Sequence, residues 1–134
     1  MGVPIAAGAP ADPPSGPVQL IIDGVIGYSL KGAPQGTAAT LIRWANGQDV
    51  PILALDVPSG VEAGNGTVFD PAIAATATMT LALPKQGLRT LGARECVGEL
   101  YLADIGVPSE LYAGLTPPVR VEPLFSQSEI LRLW

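Results

Sequence analysis

Short apolar runs alternate with turn-forming residues along this chain. Pro51 to Val57 is apolar at every position except Asp56. A run of this length, bounded by turn signals, predicts a strand covered on both faces. Pro58 cannot continue a central strand, and Ser59-Gly60 supplies a turn. Val18 to Asp23 repeats the pattern, an apolar run that again closes on aspartate. Between the two, Ala38, Leu41, Ile42 and Ala45 recur at the spacing of one helical face. They predict a helix over Gln35 to Asn46, with Pro34 ahead of it and Gly47 behind. Strand, helix and strand form a βαβ unit, which is almost always right-handed and makes its strands parallel. Asp23 and Asp56 then leave the same edge of the sheet, on strands about 4.8 Å apart if they are neighbours.

The pattern continues downstream. Gly64-Asn65-Gly66 predicts a turn, and Pro71 to Ala75 a short helical turn with proline at its start. Thr76 to Leu83 predicts a third strand, and Gly98 to Ile105 a fourth that closes on Asp104. Ser109 to Tyr112 begins like a capped helical turn. Val119 to Val121 reads as extended and Ser126 to Trp134 as a short amphipathic end. At the other end, Gly2 to Ala6 allows an edge strand and Ala9 to Pro17 a loop. The class is α/β with a mainly parallel sheet.

A charged residue closing an apolar strand costs free energy unless it is paired. Asp56 therefore has two readings. It caps its own turn through backbone N–H groups, or it faces a ligand, since ligands bind at the carboxyl ends of strands in open α/β sheets. Gly24, Gly27 and Gly32 follow the first strand, where glycine lets backbone approach a ligand closely. Their spacing is not the G-x-G-x-x-G dinucleotide fingerprint. Lys31 in this segment either meets a phosphate or is simply exposed.

Composition narrows the chemistry. The 134 residues, 48% hydrophobic and 14% charged, suit one domain at most. Net charge is −5, and the seven basic residues are scattered apart from Lys85, Arg89 and Arg94, so no nucleic-acid footprint is present. With no histidine, imidazole catalysis and His-ligated zinc are excluded. A single cysteine, Cys96, excludes an internal disulfide and a Cys-rich metal site. With no histidine to activate it, it reads as a packing residue. No run reaches the ~18–20 apolar residues of a membrane span. The first residues do not resemble a secretory or mitochondrial leader, so no membrane partner and a cytoplasmic location are expected.

Four motifs stand in a recognisable order: Asp23-Gly24-Val25-Ile26-Gly27, Leu55-Asp56-Val57-Pro58-Ser59-Gly60, the stretch Ala75 to Leu88 with Pro84-Lys85-Gln86-Gly87, and Ala103-Asp104-Ile105-Gly106-Val107-Pro108. Together they resemble the NAD(P)H-hydrate epimerase family, the YjeF N-terminal-type domain. The resemblance implies a Rossmann-like three-layer αβα sandwich. It implies an isomerase that interconverts the R and S epimers of hydrated NADH or NADPH in nicotinamide nucleotide repair. It also implies a functional link to a dehydratase, fused or separate, that acts on the S form, and pairing as a homodimer.

By motif position, the resemblance implies a potassium ion held by Asp23 and Ser59. It implies that the loop Gly27, Tyr28, Ser29, Leu30, Lys31, Gly32 and Ala33 binds substrate, and that Asp56 contacts the nicotinamide part. Potassium is a hard cation that takes oxygen ligands, which a carboxylate, a hydroxyl and turn carbonyls supply. Epimerisation at a carbon bearing OH and the ring nitrogen proceeds by loss of hydroxide and re-addition of water to the other face. A carboxylate there can shuttle the proton and steady the cationic ring, so Asp56 is the expected acid/base.

Two departures stand out. The family loop usually reads Gly-Thr-Gly-Leu, and here it is Gly27-Tyr28-Ser29-Leu30. Family domains are also longer at the N-terminal end, where an Asn-rich turn containing Gly-Asp-Gly supplies another potassium ligand and phosphate contacts. Residues 1–134 contain no such motif, so the chain is expected to be the C-terminal portion of one such domain, its motifs within residues 18–108. A sheet cut there exposes an edge and apolar faces, and association with the missing half or another chain is expected. Two other readings compete with the epimerase. A non-catalytic scaffold or nucleotide-binding module of the same family is opposed by the retained Asp23 and Asp56-Val57-Pro58-Ser59-Gly60, whereas an inactive truncated fragment stays open because residues 1–134 lack the Gly-Asp-Gly part of the site. A dehydrogenase dinucleotide-binding domain is opposed by the missing glycine fingerprint.

Overall fold

The computed structural model describes residues 17–118, 120, 121 and 123–134. The strand at Gly2 to Ala6 and most of the N-terminal loop lie outside these residues, as does Val119 of the extended tail. In chain order the elements are β1 (Ile21–Asp23), α1 (Gly36–Asn46), β2 (Ile52–Leu55), β3 (Ala77–Leu81), a 3-10 turn (Gln86–Arg89), α2 (Leu91–Val97), β4 (Glu99–Ala103), α3 (Ser109–Ala113) and β5 (Ile130–Arg132). The sheet order is β1-β2-β3-β4-β5. The first four strands are parallel and β5 is antiparallel to β4. This is the α/β, mainly parallel arrangement that the apolar runs predict.

Helix α1 lies where the 3.6-residue pattern puts it. Its buried stripe is Ala39, Ile42 and Ala45, with Gly47 closing the last turn onto the carbonyls of Arg43 and Trp44. Ile42 and Ala45 pack against Ile52 and Ala54 of β2, together with Ile73 and Ala75. The strand register carries the same face across to Thr78 and Leu100. There a second cluster forms from Val57, Val61, Leu88, Ala93, Val97 and Leu100. Thr78 is buried on this face because its hydroxyl donates to the Val97 carbonyl at 2.8 Å.

Both clusters cover one face of the sheet. On the other, Ile22 is 58% and Leu55 40% exposed. The expectation that β2 is covered on both faces is therefore corrected: among the described residues, α1 and α2 pack on one side only. An all-apolar run encodes burial on both faces without saying which chain segment provides it.

Three local expectations also change. Pro71 to Ala75 forms no helical turn, because its N–H groups are engaged elsewhere. Ile73 N–H donates to the Ser59 carbonyl, Ala74 N–H to Asn46 Oδ1 and Ala75 N–H to the Cys96 carbonyl. The β2–β3 crossover is thus extended and pinned, with Ile73 buried in it. Helix α2, absent from the sequence reading, starts at Thr90, whose hydroxyl accepts from Ala93 N–H, and ends at Gly98. Finally, the amphipathic C-terminal end is the edge strand β5. Trp134 anchors it, with its indole N–H donating to the Gly98 carbonyl at 2.9 Å and Arg94 over its ring.

Gly60 sits at φ +100°, where a Cβ would lie 2.5 Å from both Ala72 Cα and the Pro71 carbonyl oxygen. Backbone cannot give way there as a flexible side chain would. Gly60→Ala is expected to cost about 3 kcal/mol or more, from strain and overpacking together. A fall in the urea unfolding midpoint with unchanged slope would show it.

Candidate active site

Asp23 is the last residue of β1, and its side chain is almost fully buried at 2% exposure. Its carboxylate accepts three hydrogen bonds. Ser59 N–H donates to Oδ2 at 2.8 Å, Ser59 Oγ donates to Oδ1 at 2.7 Å, and Val25 N–H donates to Oδ1 at 3.2 Å. Ser59 is itself fully buried. Its Oγ accepts from Ile26 N–H at 2.8 Å and lies 3.2 Å from the Ile26 carbonyl oxygen. One small volume thus collects carboxylate, hydroxyl and carbonyl oxygens. The ion pairs of the described residues are Lys85–Asp56 and Arg132–Glu99, so no Lys or Arg neutralises Asp23. A buried, cation-free carboxylate amid hydroxyl and carbonyl oxygens is a donor set for a hard cation. No group of three or more His, Cys, Asp or Glu side chains converges among the described residues. This donor set suits an alkali ion better than a transition metal.

Asp56 follows β2 at the same rim of the sheet, because β1 and β2 run parallel. It sits in the left-handed region at φ +67°. Val57 N–H closes a three-residue turn onto the Leu55 carbonyl at 2.9 Å. The neighbouring strand ends alike: Ala82 has φ +62° and Leu83 N–H donates to the Leu81 carbonyl at 2.7 Å. Such turns are rare and strained, and strain of this kind gathers at functional sites. The two turns are tied together by the Asp56 side chain. Its Oδ1 accepts from Leu81 N–H at 3.1 Å, from Thr80 Oγ1 at 3.4 Å and from Lys85 Nζ. Asp56 therefore bonds the neighbouring strand and Lys85, not the backbone of its own turn.

The loop Gly27 to Ala33 is tied to the Ser59 turn through Ile26 and anchored by buried Leu30. Tyr28 is 73% exposed, and Lys31 makes no ion pair among the described residues. A Cβ at Gly27 or Gly32 would meet nothing within 4 Å. The packing of the described residues does not require glycine at either position.

Of the residues singled out from sequence, Asp23 and Ser59 are in direct contact, and Asp56 shares their rim without bonding either. Lys85 was missed as a partner of Asp56. A cavity of about 520 Å³ opens beside this site at the ends of β3 and β4, with Ala82, Asp104, Tyr112 and Phe125 in its lining. Asp23, Asp56 and Ser59 are not among its walls. Cys96 is half-buried against the core. Burial, and then the Glu95 carboxylate, push its thiol pKa up, as suits a packing residue and not a nucleophile.

A parallel sheet with acidic side chains gathered at its carboxyl rim is the ligand-binding layout of an open α/β protein. The family model described as YjeF-related protein N-terminus matches residues 2–87. The chain belongs to that family. It is 44% identical over 108 residues to an NAD(P)H-hydrate epimerase of Dehalogenimonas lykanthroporepellens, covering 79% of this chain and 42% of the relative. It is 38% identical over 104 residues to an NAD(P)H-hydrate epimerase of Truepera radiovictrix, covering 76% of this chain and 46% of the relative. A bifunctional NAD(P)H-hydrate repair enzyme of Moorella thermoacetica is 43% identical over 94 residues, 70% of this chain and 18% of that protein. The crystal structure of yeast ynu0, YNL200c, superposes with a TM-score of 0.59 at 21% identity, covering 85% of this chain and 46% of the yeast chain, and so shares the fold. The chain spans less than half the length of these relatives.

Proposed function

We propose that this chain is the C-terminal portion of an NAD(P)H-hydrate epimerase domain, and that it carries the potassium-binding and acid/base residues of that enzyme. The observation that carries this reading is the pairing of a cation-free buried Asp23 with Ser59 at the rim where strained Asp56 also stands. Asp23 Oδ1, Ser59 Oγ and the Ile26 carbonyl would hold the potassium ion. When bound, the ion supplies positive charge to offset the buried carboxylate. The loop Gly27 to Ala33 borders the substrate, its glycines leaving room for close approach.

Asp56 acts on the hydrated ring. Oδ1 is engaged by three donors, whereas Oδ2 has no hydrogen-bond partner among the described residues. Oδ2 is the oxygen placed to move a proton to the departing hydroxide and to take it back from the incoming water. The carboxylate also steadies the cationic ring between the two steps. Addition to the opposite face gives the other epimer. The apolar face of β1 and β2 that is left uncovered among the described residues supports the assignment to one portion of a larger domain, since such a face calls for a further layer. A homodimer, a dehydratase partner activity and a cytoplasmic location belong to the same proposal. No helix among the described residues is long and apolar enough to cross a membrane.

The test starts from the pure S epimer of hydrated NADH and follows appearance of the R epimer by chromatography. The chain is supplied with the N-terminal portion of the domain, in KCl and in choline chloride at equal ionic strength. Epimerisation above the spontaneous rate, dependent on potassium, is the expected result. An epimer ratio that drifts no faster than in buffer rules the reading out.

A further inference from the structure

We infer that Lys85 is the positioning residue of this site: it fixes Asp56 so that only Oδ2 is presented to the substrate. The inference rests on the epimerase reading above and concerns a residue to which that reading gives no role.

Three hydrogen-bond acceptors surround the Lys85 ammonium. They are Asp56 Oδ1, the Leu81 carbonyl at 2.9 Å and Thr80 Oγ1 at 3.4 Å. An ammonium has three N–H donors and no acceptor. All three are therefore engaged inside the protein, and none remains to donate to a substrate. Lys85 does not serve as the acid itself; it acts through Asp56. The same three groups close a ring, because the Thr80 hydroxyl that accepts from Lys85 also donates to Asp56 Oδ1. Leu81 contributes at both ends, its N–H to Asp56 and its carbonyl to Lys85.

The arrangement answers a problem set by the backbone. Asp56 stands in a strained turn at φ +67°, and so does Ala82 opposite it. A carboxylate on a strained turn keeps one orientation only if its surroundings over-determine it. Lys85 supplies that constraint by crossing between the two turns, with its side chain only 24% exposed. A carboxylate free to rotate would turn its unengaged oxygen away from the reacting carbon and misplace the proton. Misplacement by about 1 Å can cost about 10²-fold in rate.

The experiment compares four forms of the complemented enzyme: parent, Lys85→Met, Asp56→Asn and the double variant. Lys85→Met is expected to lower kcat about 10–100-fold, with KM within about threefold of the parent. In the Asp56→Asn background the same change is expected to cost less than about twofold, because the side chain that Lys85 still holds no longer carries the proton. A Lys85→Met enzyme with parental kcat overturns the inference. So does a double variant whose loss is the product of the two single losses, since that makes Lys85 act independently. A lower thermal midpoint with unchanged kcat per folded molecule marks a purely structural role and overturns it as well. Should Lys85→Met fail to fold, Lys85→Gln carries the same comparison. A parent that does not epimerise hydrated NADH overturns the epimerase reading itself, and this is seen before any variant is compared.

Discussion

Asp56→Asn is expected to lower kcat for epimerisation of hydrated NADH by about 10²–10⁴-fold, the range over which a positioned acid or base contributes. The fold should survive the change. Asparagine keeps an oxygen that can accept from Leu81 N–H, Thr80 Oγ1 and Lys85 Nζ, the three bonds that hold Asp56 in place. It also adopts positive φ more readily than most residues, so the turn at φ +67° is not further strained. What is lost is the charge on Oδ2 and its capacity to carry a proton. KM should move little, since the interaction removed is made mainly while the ring is cationic. The comparison is a progress curve from one pure epimer, at matched folded concentration. A variant as fast as the parent removes Asp56 from the mechanism and leaves Asp23 and Ser59 as an ion site alone.

Much of the fold was legible because its signals are local. The runs before Asp23 and Asp56 are bounded by turn residues, and α1 follows a 3.6-residue pattern over three turns. Helix α2 gave no such signal. It has seven residues, one of them Gly92, too few for a periodicity, although Thr90 and Gly98 bracket it as caps. The segment Pro71 to Ala75 misled for the opposite reason. Proline followed by small residues suits a helical start, but the N–H groups of residues 73–75 find acceptors on Ser59, Asn46 and Cys96. Those partners are set by tertiary structure. Strand β5 depends likewise on Trp134 docking against Gly98.

The site was legible in a different measure. Parallel strands placed Asp23 and Asp56 at one rim from topology alone. The direct bond between Asp23 and Ser59 needs the whole crossover to fold, and only the motif resemblance pointed to it. Lys85 was invisible as a partner. Its ammonium reaches Asp56 because the chain turns back at Ala82, an alanine in a conformation that alanine rarely adopts. A strained residue carries no mark in the sequence when it is not glycine.

Asp23→Ala is expected to destabilise the chain by about 2–4 kcal/mol, because it leaves buried N–H donors without their acceptor. The loss would leave Ser59 N–H and Val25 N–H without their acceptor, the first on a fully buried residue, while the Ser59 hydroxyl can still donate to the Ile26 carbonyl at 3.2 Å. Each buried donor left unsatisfied costs about 1–3 kcal/mol. Ser59→Ala is the milder change, because the backbone N–H at residue 59 still donates to Oδ2; about 1–2 kcal/mol is expected from the missing hydroxyl. Both variants should also lose the response to potassium. A ligand that binds only the folded state raises stability by RT ln(1 + [L]/Kd), about 2.7 kcal/mol at a hundredfold excess over Kd. The parent's thermal midpoint should therefore rise when choline chloride is replaced by KCl at constant ionic strength, and the midpoint of Ser59→Ala should not. The two readouts separate the roles. A parent indifferent to potassium would leave Asp23 and Ser59 as a structural clamp between β1 and the turn after β2. A Ser59→Ala protein that still responds would move the ion away from this pair.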